Sequence, residues 1–294
     1  MPDIPVDIEP AFPQPIVGEA VRPKLLELLG LDDVPNEVDF TMDLPRQEGD
    51  LRVSGVRFTN SLGETVSGIL CMPQDAGEKL PGVVCVPGTA NSAELVSNRE
   101  FREEPSSGSL YGWGRELSRR GFATLSITVK GSVTRRVSIE DWATENKLLA
   151  PYGRTQMGVL VEEALRGARV LAATEGVDAE RIGLAGMSLG GNATWYAMAC
   201  APWIAAGVPI CGGVGSLAKV IHQADIERHS AYYFIPGLLR YFDHAEIVAA
   251  CMPPRPFMMI APTQDEDMPR EGVDELVPPV AAAYAVSGHS ERFE

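Results

Sequence analysis

The sequence predicts an α/β fold with a mostly parallel central sheet, an antiparallel N-terminal hairpin and helices on both faces. Short apolar runs alternate with helical segments from residue 81 onward, which is typical of parallel strands joined by right-handed crossovers. In two runs, 51–60 and 65–73, apolar and polar residues alternate; a short turn separates the runs, which indicates a β-hairpin. A Gly-x-Ser-x-Gly pentapeptide at 186–190 lies between an apolar run and a helical segment.

Local patterns predict the individual elements. Residues 21–29 have helical spacing and are followed by Gly30, a common helix stop. Residues 81–88 form a continuous apolar run, as expected for a strand buried on both faces. The other expected strands are 122–129, 182–185, 204–211 and 256–261, and the other expected helices are 110–120, 157–174, 192–200 and 279–286, the last opened by its proline.

We expect residues 1–50 to form an N-terminal arm with one short helix, irregular over 32–50. Residues 51–294 should form one domain. Two long stretches, 89–109 and 212–255, interrupt the strand–helix alternation. Because both follow strands, both should project from the carboxyl edge of the sheet, where sites in open α/β folds form. Loops of this length are usually lids or pocket walls, so we expect both to lie over the site.

Composition and charge exclude several classes of protein. The 294-residue chain has a formal net charge of −15, whereas a nucleic-acid partner requires a basic face. No apolar run is long enough to span a membrane, and the acidic, proline-rich segment 1–15 does not resemble a signal peptide. Five cysteines without a Cys-x-x-Cys pair favour reduced thiols and a cytoplasmic protein. No cluster of residues has metal-ligand spacing, so no metal is expected.

The pentapeptide places Ser188 at the tip of a tight strand-to-helix turn. Side chains at Gly186 and Gly190 would collide with neighbouring elements, so the turn needs glycine on both sides. A serine in this position exposes its hydroxyl above the sheet, and the amide of Leu189 can stabilise an oxyanion. The pattern therefore indicates a nucleophile elbow. The alternative is a glycine-rich turn in which Ser188 only caps the following helix.

Further segments carry a resemblance to a known family. With the elbow, they resemble the α/β-hydrolase superfamily, in particular its dienelactone-hydrolase-like and acetyl-xylan-esterase-like branch. The resemblance covers roughly residues 50–294 and implies ester hydrolysis through an acyl-enzyme, with no cofactor. The matching segments are Tyr-Gly-Arg at 152–154, Gly-Val-Asp-Ala-Glu-Arg-Ile-Gly at 176–183, Ile-Pro-Gly-Leu-Leu at 235–239, and Pro-Arg-Pro-Phe-Met-Met-Ile at 254–260 with Asp265 and Pro269 after it.

A serine nucleophile needs a general base, usually a histidine oriented by a carboxylate. On this fold the order along the chain is serine, acid, histidine, so the acid should follow the strand 256–261. Asp265 and Asp267 both qualify. The family pattern, with the acid a few residues before a proline, favours Asp265 ahead of Pro269. Either aspartate could instead only cap the loop.

The histidine is harder to assign. His289 alone follows the acid, but it precedes what looks like the start of the last strand and so lies at the edge opposite Ser188. We expect the base after that strand, beyond residue 294. Alternatively, His222, His229 or His244, which fall at the correct edge, could substitute for it, or the chain could be inactive.

The remaining site residues are expected around the elbow. The second oxyanion donor should be the backbone of Thr89 or Ala90, although Pro87 stands where many relatives carry histidine. The substrate pocket should include Met187 and the aromatic residues Tyr232, Tyr233 and Phe234.

A basic stretch after the strand 122–129 has two interpretations. Lys130, Arg135 and Arg136 could bind a substrate carboxylate, or they could pair with acids such as Glu140 and Asp141.

Three functional hypotheses follow. The first is a serine hydrolase that cleaves a small-molecule carboxylic ester or lactone. The second is a ligand-binding protein that keeps the pocket without catalysis, and the third is a peptidase or thioesterase built on the same elbow. The fold hosts all of them, so the sequence does not separate them. A homo-oligomer also remains open.

Overall fold

The computed structural model describes residues 12–32, 36–75, 77–89, 91–97, 102–104, 109–135, 144–223, 226 and 229–294. Within these ranges the strands are β1 (Phe40–Met42), β2 (Arg46–Glu48), β3 (Leu51–Thr59), β4 (Thr65–Pro73), β5 (Leu80–Val86), β6 (Arg102–Glu104), β7 (Ser109–Tyr111), β8 (Ala123–Ile127), β9 (Val177–Met187) and β10 (Ala206–Ile210). The helices are α1 (Val21–Leu29), α2 (Ala93–Ser97), α3 (Trp113–Arg119), α4 (Thr144–Leu149), α5 (Gln156–Ala172), α6 (Leu189–Cys200), α7 (Leu217–Gln223), α8 (His244–Cys251) and α9 (Arg270–Val286).

Eight strands form one mixed sheet in the order β1-β3-β4-β8-β5-β9-β10, with β2 also paired to β3. The N-terminal strands pair antiparallel, up to and including the pair β4–β8. The pairs β5–β8, β5–β9 and β9–β10 are parallel. Strands β6 and β7 form a separate two-stranded sheet. The predicted hairpin and the predicted mostly parallel sheet after it are therefore confirmed.

Helices pack on both faces of the sheet, as predicted. A side chain at Gly167 of α5 would contact Val84 and Ile127, whereas one at Gly114 of α3 would contact Ser126. Because Ser126 and Ile127 are neighbours on β8, they point to opposite faces, so α5 and α3 lie on opposite sides. Among the described residues, no helix has the length and apolar character needed to cross a bilayer.

The N-terminal helix belongs to the core. Val21, Leu25 and Leu29 of α1 are completely buried, at the spacing of one helix face. Gly30 ends the helix in the left-handed conformation with φ 64°, as its position predicts. The expectation of an irregular stretch at 32–50 is wrong, because β1 and β2 lie within it and pair with β3.

The C-terminal part differs most from the expectation. Residues 212–255 are not one long loop, since they include α7 and α8. The last helix begins at Arg270 rather than at Pro279, so Pro278 and Pro279 lie inside it. Both prolines are on the exposed side, where water can satisfy the carbonyl groups that they leave free. The buried side of α9 carries Val273, Leu276, Val280 and Tyr284.

The predicted strand 256–261 is reduced to isolated bridges: Gly207–Phe257 and Ile210–Ile260 join it to β10, and Phe257–Phe293 joins it to the C-terminal residues. The cause is Pro209 in the middle of β10. Two residues before and after Pro209, the amides of Gly207 and Cys211 donate hydrogen bonds of 3.2 and 2.8 Å to the carbonyl oxygens of Pro256 and Ile260. Pro209 has no N–H group, so the hydrogen bond between them cannot form and the ladder is interrupted.

Candidate active site

Ser188 has the geometry of a nucleophile at a strained turn. It follows β9 and precedes α6, with φ 55° and ψ −120°, an unusual conformation for a residue with a side chain. Its amide donates a 2.9 Å hydrogen bond to the carbonyl oxygen of Ile210. The half-exposed side chain makes no capping hydrogen bond to α6, so the alternative that it merely caps the helix is not supported.

Three close approaches explain the glycines around Ser188. A side chain at Gly186 would clash with the carbonyl group of Gly190, and one at Gly190 would clash with that of Val86. A Cβ atom at Gly88 would lie 3.2 Å from the carbonyl oxygen of Met187. The end of β5, the end of β9 and the start of α6 therefore meet with no room for side chains, and this contact fixes the turn.

The two predicted oxyanion positions flank this turn. Leu189 is the first residue of α6, where backbone amides have no acceptor within the helix. Thr89 follows Gly88, at which a Cβ atom would lie 3.5 Å from Cβ of Ser188. Ala90 lies outside the described residues. A pair of donors from Leu189 and Thr89 thus stays a prediction.

Asp265 lies on the same side of the molecule as Ser188. It shares a small cavity with Cys211, and the main chain of Ser188 lies beside the Cys211 thiol. Burial raises the pKa of the Asp265 carboxyl, although amide hydrogen bonds from Asp267 and Met268 oppose this shift. The amide of Asp267 donates to it at 3.0 Å. Asp265 is half-buried whereas Asp267 is exposed.

Cys211 was not among the residues expected at the site. It follows β10, the strand that pairs with β9, and so lies at the same edge of the sheet as Ser188. Its φ angle is 39°, in the left-handed region. Burial raises the pKa of its thiol. Its position immediately after a predicted parallel strand was the one signal in the sequence that could have placed Cys211 at the site. The proposed chemistry needs no thiol, so the residue type gave no reason to select it.

The four histidines fall in different environments. His244 is completely buried, with Nε2 3.1 Å from the Tyr196 hydroxyl, which does not suit a base that must exchange protons with substrate. His222 is exposed on α7. His289 follows α9, with Nδ1 3.5 Å from a Glu291 oxygen.

His229 lies at the acid loop. Its Nε2 atom is 2.6 Å from the main-chain oxygen of Asp267. Its ring stacks on Tyr233, with ring centroids 4.7 Å apart.

The predicted pocket residues take different positions. Tyr232 is buried near the Thr89 side chain, and burial raises the pKa of its hydroxyl to about 12. Tyr233 is 1% exposed and donates a 2.9 Å hydrogen bond to the carbonyl of Gly213. Phe234 is half-buried, with its ring edge-on to Tyr233.

Met187 lines a separate apolar groove. The groove has a volume of about 250 Å³ and lies between α3 and the strands β9 and β10. Trp113 and Leu117 form its helix side.

The basic stretch after β8 is occupied by internal ion pairs. The Lys130 ammonium lies 2.7 Å from Glu64 and 3.1 Å from Glu145. Arg135 donates to both carboxylate oxygens of the fully buried Glu163, each at 2.8 Å. These acids compensate the cations, so binding of a substrate carboxylate by Lys130 or Arg135 is not supported. Arg136, Glu140 and Asp141 lie outside the described residues.

No group of three or more His, Cys, Asp or Glu side chains in the described part of the chain is arranged to hold a metal ion.

Comparisons with known proteins place this geometry in a known fold. No protein-family profile matches the chain. The Bacillus subtilis protein named "Putative hydrolase YtaP" is 28% identical over 201 residues, 68% of this chain and 64% of that protein's length. A solved structure described as a "putative acetyl xylan esterase" from Bacteroides fragilis has a TM-score of 0.73 at 18% identity, covering 94% of this chain and 73% of the other.

Two further solved structures are similar. A glucuronoyl esterase from Solibacter usitatus has a TM-score of 0.67 at 14% identity, covering 91% of this chain and 80% of the other. Acetyl xylan esterase 1 from a Thermoanaerobacterium species has a TM-score of 0.63 at 14% identity, covering 91% and 84%. Together with the strand order and the turn at Ser188, these likenesses show that the chain has the α/β-hydrolase fold, as the sequence predicts.

Proposed function

We propose that the protein is a serine hydrolase that cleaves a carboxylic ester or lactone of a small molecule through an acyl-enzyme. The observation that carries this proposal is the conformation of Ser188. Ser188 is partly exposed, has φ 55° and makes no capping hydrogen bond, and Gly186 and Gly190 on either side of it have no room for a side chain. A plain helix start does not require such backbone strain. Strain of this kind is concentrated at functional sites.

In the proposed reaction, Ser188 Oγ attacks the substrate carbonyl carbon. The amides of Leu189 and Thr89 donate to the developing oxyanion, and Asp265 stabilises the protonated form of the base. Loss of the alcohol leaves an acyl group on Ser188, which water then removes. The half-buried position of Asp265, on Ser188's side of the sheet, supports it over the exposed Asp267 as the acid.

The comparisons support an ester as substrate. Three of the similar solved structures carry esterase names, and the curated relative is named as a hydrolase. This chain spans 64% of that relative's length, so an activity of the whole relative does not by itself extend to this chain. The free state of all five cysteines supports a cytoplasmic location as part of the proposal.

Hydrolysis of p-nitrophenyl acetate and labelling by a fluorophosphonate test the proposal. We expect Ser188→Ala to lower kcat by at least about 10⁴-fold and to abolish labelling. Ser287→Ala, after α9, should leave both unchanged. Turnover that survives Ser188→Ala would reject the serine mechanism, and an unlabelled Ser188 in folded protein would favour the ligand-binding alternative. Thioester and peptide substrates tested in parallel separate the remaining activities.

A further inference from the structure

Arg169 of α5 is a half-buried cation without an acidic partner in the described part of the chain. Its Nη2 atom donates a 3.0 Å hydrogen bond to the side-chain oxygen of Asn36. Its Nε atom is buried and has no hydrogen-bond partner among the described residues. Burial lowers the pKa of the guanidinium, and no described carboxylate opposes this shift. Since a guanidinium carries five N–H donors, the described residues leave most of its hydrogen-bonding capacity unused.

Other partly buried arginines are compensated. Arg135 and Arg166 each pair with a buried glutamate of α5, at 2.8 and 2.6 Å. Arg255 donates to four main-chain carbonyl oxygens. These contacts follow the rule that removing a cation from water is costly unless acceptors replace the water. Arg169 departs from this pattern, so its guanidinium is available to an acceptor from another molecule.

Trp203 holds the guanidinium of Arg169 in place. The central guanidinium carbon lies over the indole ring, 3.7 Å from its centroid. This contact covers one face of the guanidinium and leaves its edge, which carries the N–H groups, to bind an acceptor. A cation that is already held in one position loses little conformational entropy when it binds a ligand.

A cavity of about 290 Å³ lies beside Arg169, between α1, α5 and the residues that follow α6. Leu26 and Leu31 line it with apolar side chains, and Trp203 and Asn36 lie next to the guanidinium. The volume is at the lower end of the range of small-molecule sites. The cavity therefore combines one fixed cation with an apolar wall, the composition expected of a site for a small amphipathic anion.

The cavity is separate from the candidate active site. Helix α6 begins directly after Ser188, whereas the cavity is lined by Cys200 at the other end of this helix. Its 12 residues span about 18 Å. A ligand in this cavity would not contact Ser188, so its binding does not depend on the proposed hydrolase chemistry.

We propose that this cavity is a binding site for a small organic monocarboxylate. The carboxylate of the ligand accepts hydrogen bonds from the edge of the Arg169 guanidinium, and its hydrocarbon part lies against Leu26 and Leu31. The lining also determines the charge of the ligand, because Arg169 supplies one positive charge and Asp32 contributes one carboxylate. Asp32 would repel a doubly charged anion such as phosphate more strongly than a singly charged one.

Binding of butyrate tests the proposal. In an NMR titration at constant ionic strength, we expect butyrate to shift the indole N–H signal of Trp203 with a dissociation constant of about 1–10 mM, a range that suits a ligand of this size. Trp203→Phe assigns that signal. Arg169→Met should weaken butyrate binding at least about tenfold, because it removes charge-assisted hydrogen bonds. Arg120→Met, at an exposed arginine after α3, is the matched control and should bind butyrate as the unsubstituted protein does.

Two further measurements guard against a folding defect in Arg169→Met. Butyramide has the shape of butyrate without its charge, so it should bind the unsubstituted protein at least about tenfold more weakly. Arg169→Met should keep or raise the melting temperature, because it removes a half-buried charge that has no acidic partner within the described ranges.

The outcomes decide each part of the proposal. An unmoved Trp203 signal up to about 100 mM butyrate, or equal binding by Arg169→Met, would overturn the site. Equal binding of butyramide, or tighter binding of inorganic phosphate, would overturn its assignment to a monocarboxylate. Unchanged binding in Ser188→Ala is expected, and this site would then stand even if the hydrolase proposal failed. Loss of binding in Ser188→Ala would place the ligand at the active site and overturn the inference.

Discussion

The nucleophile side and the acid side of the site are built in different ways. Ser188 follows β9, an interior strand that pairs with β5 and β10, and close backbone contacts at Gly186 and Gly190 fix the turn. Asp265 lies beyond the edge of the regular sheet, after a segment that joins β10 through two isolated bridges. The nucleophile is therefore positioned by backbone packing, whereas the acid depends on hydrogen bonds within its own loop.

This difference affects how each side should respond to change. Contacts between backbone atoms cannot relax without moving a strand or a helix, so the elbow should tolerate almost no added volume. The acid loop, with exposed residues on both sides of Asp265, should tolerate substitution structurally and lose mainly chemistry. Substitutions at matched positions can test this contrast.

The largest effect is expected at Gly190. A methyl group there would clash with the carbonyl of Val86, so Gly190→Ala should cost about 3 kcal/mol or more in the free energy of unfolding and abolish activity. Gly167→Ala is the matched control, because its new Cβ would meet side chains at ordinary distances of 3.4 Å or more. In the middle of α5 it should stabilise the protein by about 0.5–1 kcal/mol. Urea unfolding of both variants measures the contrast, and a stable Gly190→Ala protein would refute backbone packing as the cause.

The next effect is at Asp265. Asp265→Asn should lower kcat by about 10³–10⁴-fold, because the neutral amide cannot stabilise a protonated base. Asp267→Asn should change kcat by about threefold or less, since this side chain is exposed and its main chain makes the contact to His229. The reverse order of effects would assign the acid to Asp267.

The pH dependence of stability gives a second measure of the same residue. Because folding raises the pKa of Asp265, its contribution to stability is fully present below the unfolded pKa and is lost as the pH rises through the folded pKa. Asp265→Asn cannot ionise, so its melting temperature relative to the unsubstituted protein should rise from acid to neutral pH. A difference that falls with increasing pH would contradict the burial of the carboxyl.

The contrast also explains which features the sequence could predict. The elbow is encoded in neighbouring residues: the glycines, the apolar run and the helix after Ser188 each have a local reason. Both elements were predicted, although β9 begins five residues earlier and α6 three residues earlier than expected. The site at Asp265 combines contributions from β10, the 229–233 segment and the acid loop. The spacing along the chain carries no information about such contacts, so Cys211 was missed and Asp265 and Asp267 could not be separated from the residues alone.

The incorrect element predictions have a related cause. Pro279 looks like a helix start, yet α9 runs through it because Val273, Leu276 and Tyr284 hold the helix on its buried side. Similarly, 256–261 has the composition of a strand, but its pairing depends on Pro209, about fifty residues earlier. Local propensity is overridden in both places by tertiary contacts that only the folded chain contains.

The smallest effect compares the loss of one methyl group in the interior strand β9 with the same loss beyond the edge strand β10. Ile182 in β9 is 1% exposed, and its side chain would meet a Cβ atom added at Gly82. Ile182→Val should therefore cost about 1 kcal/mol in the free energy of unfolding. Ile260 is 41% exposed in the outer bridge, so Ile260→Val should change this free energy by less than about 0.5 kcal/mol. Urea unfolding measures both changes. Equal losses in the free energy of unfolding at the two positions would mean that the Ile260 side chain is covered in solution, and the contrast between interior strand and edge would then fail.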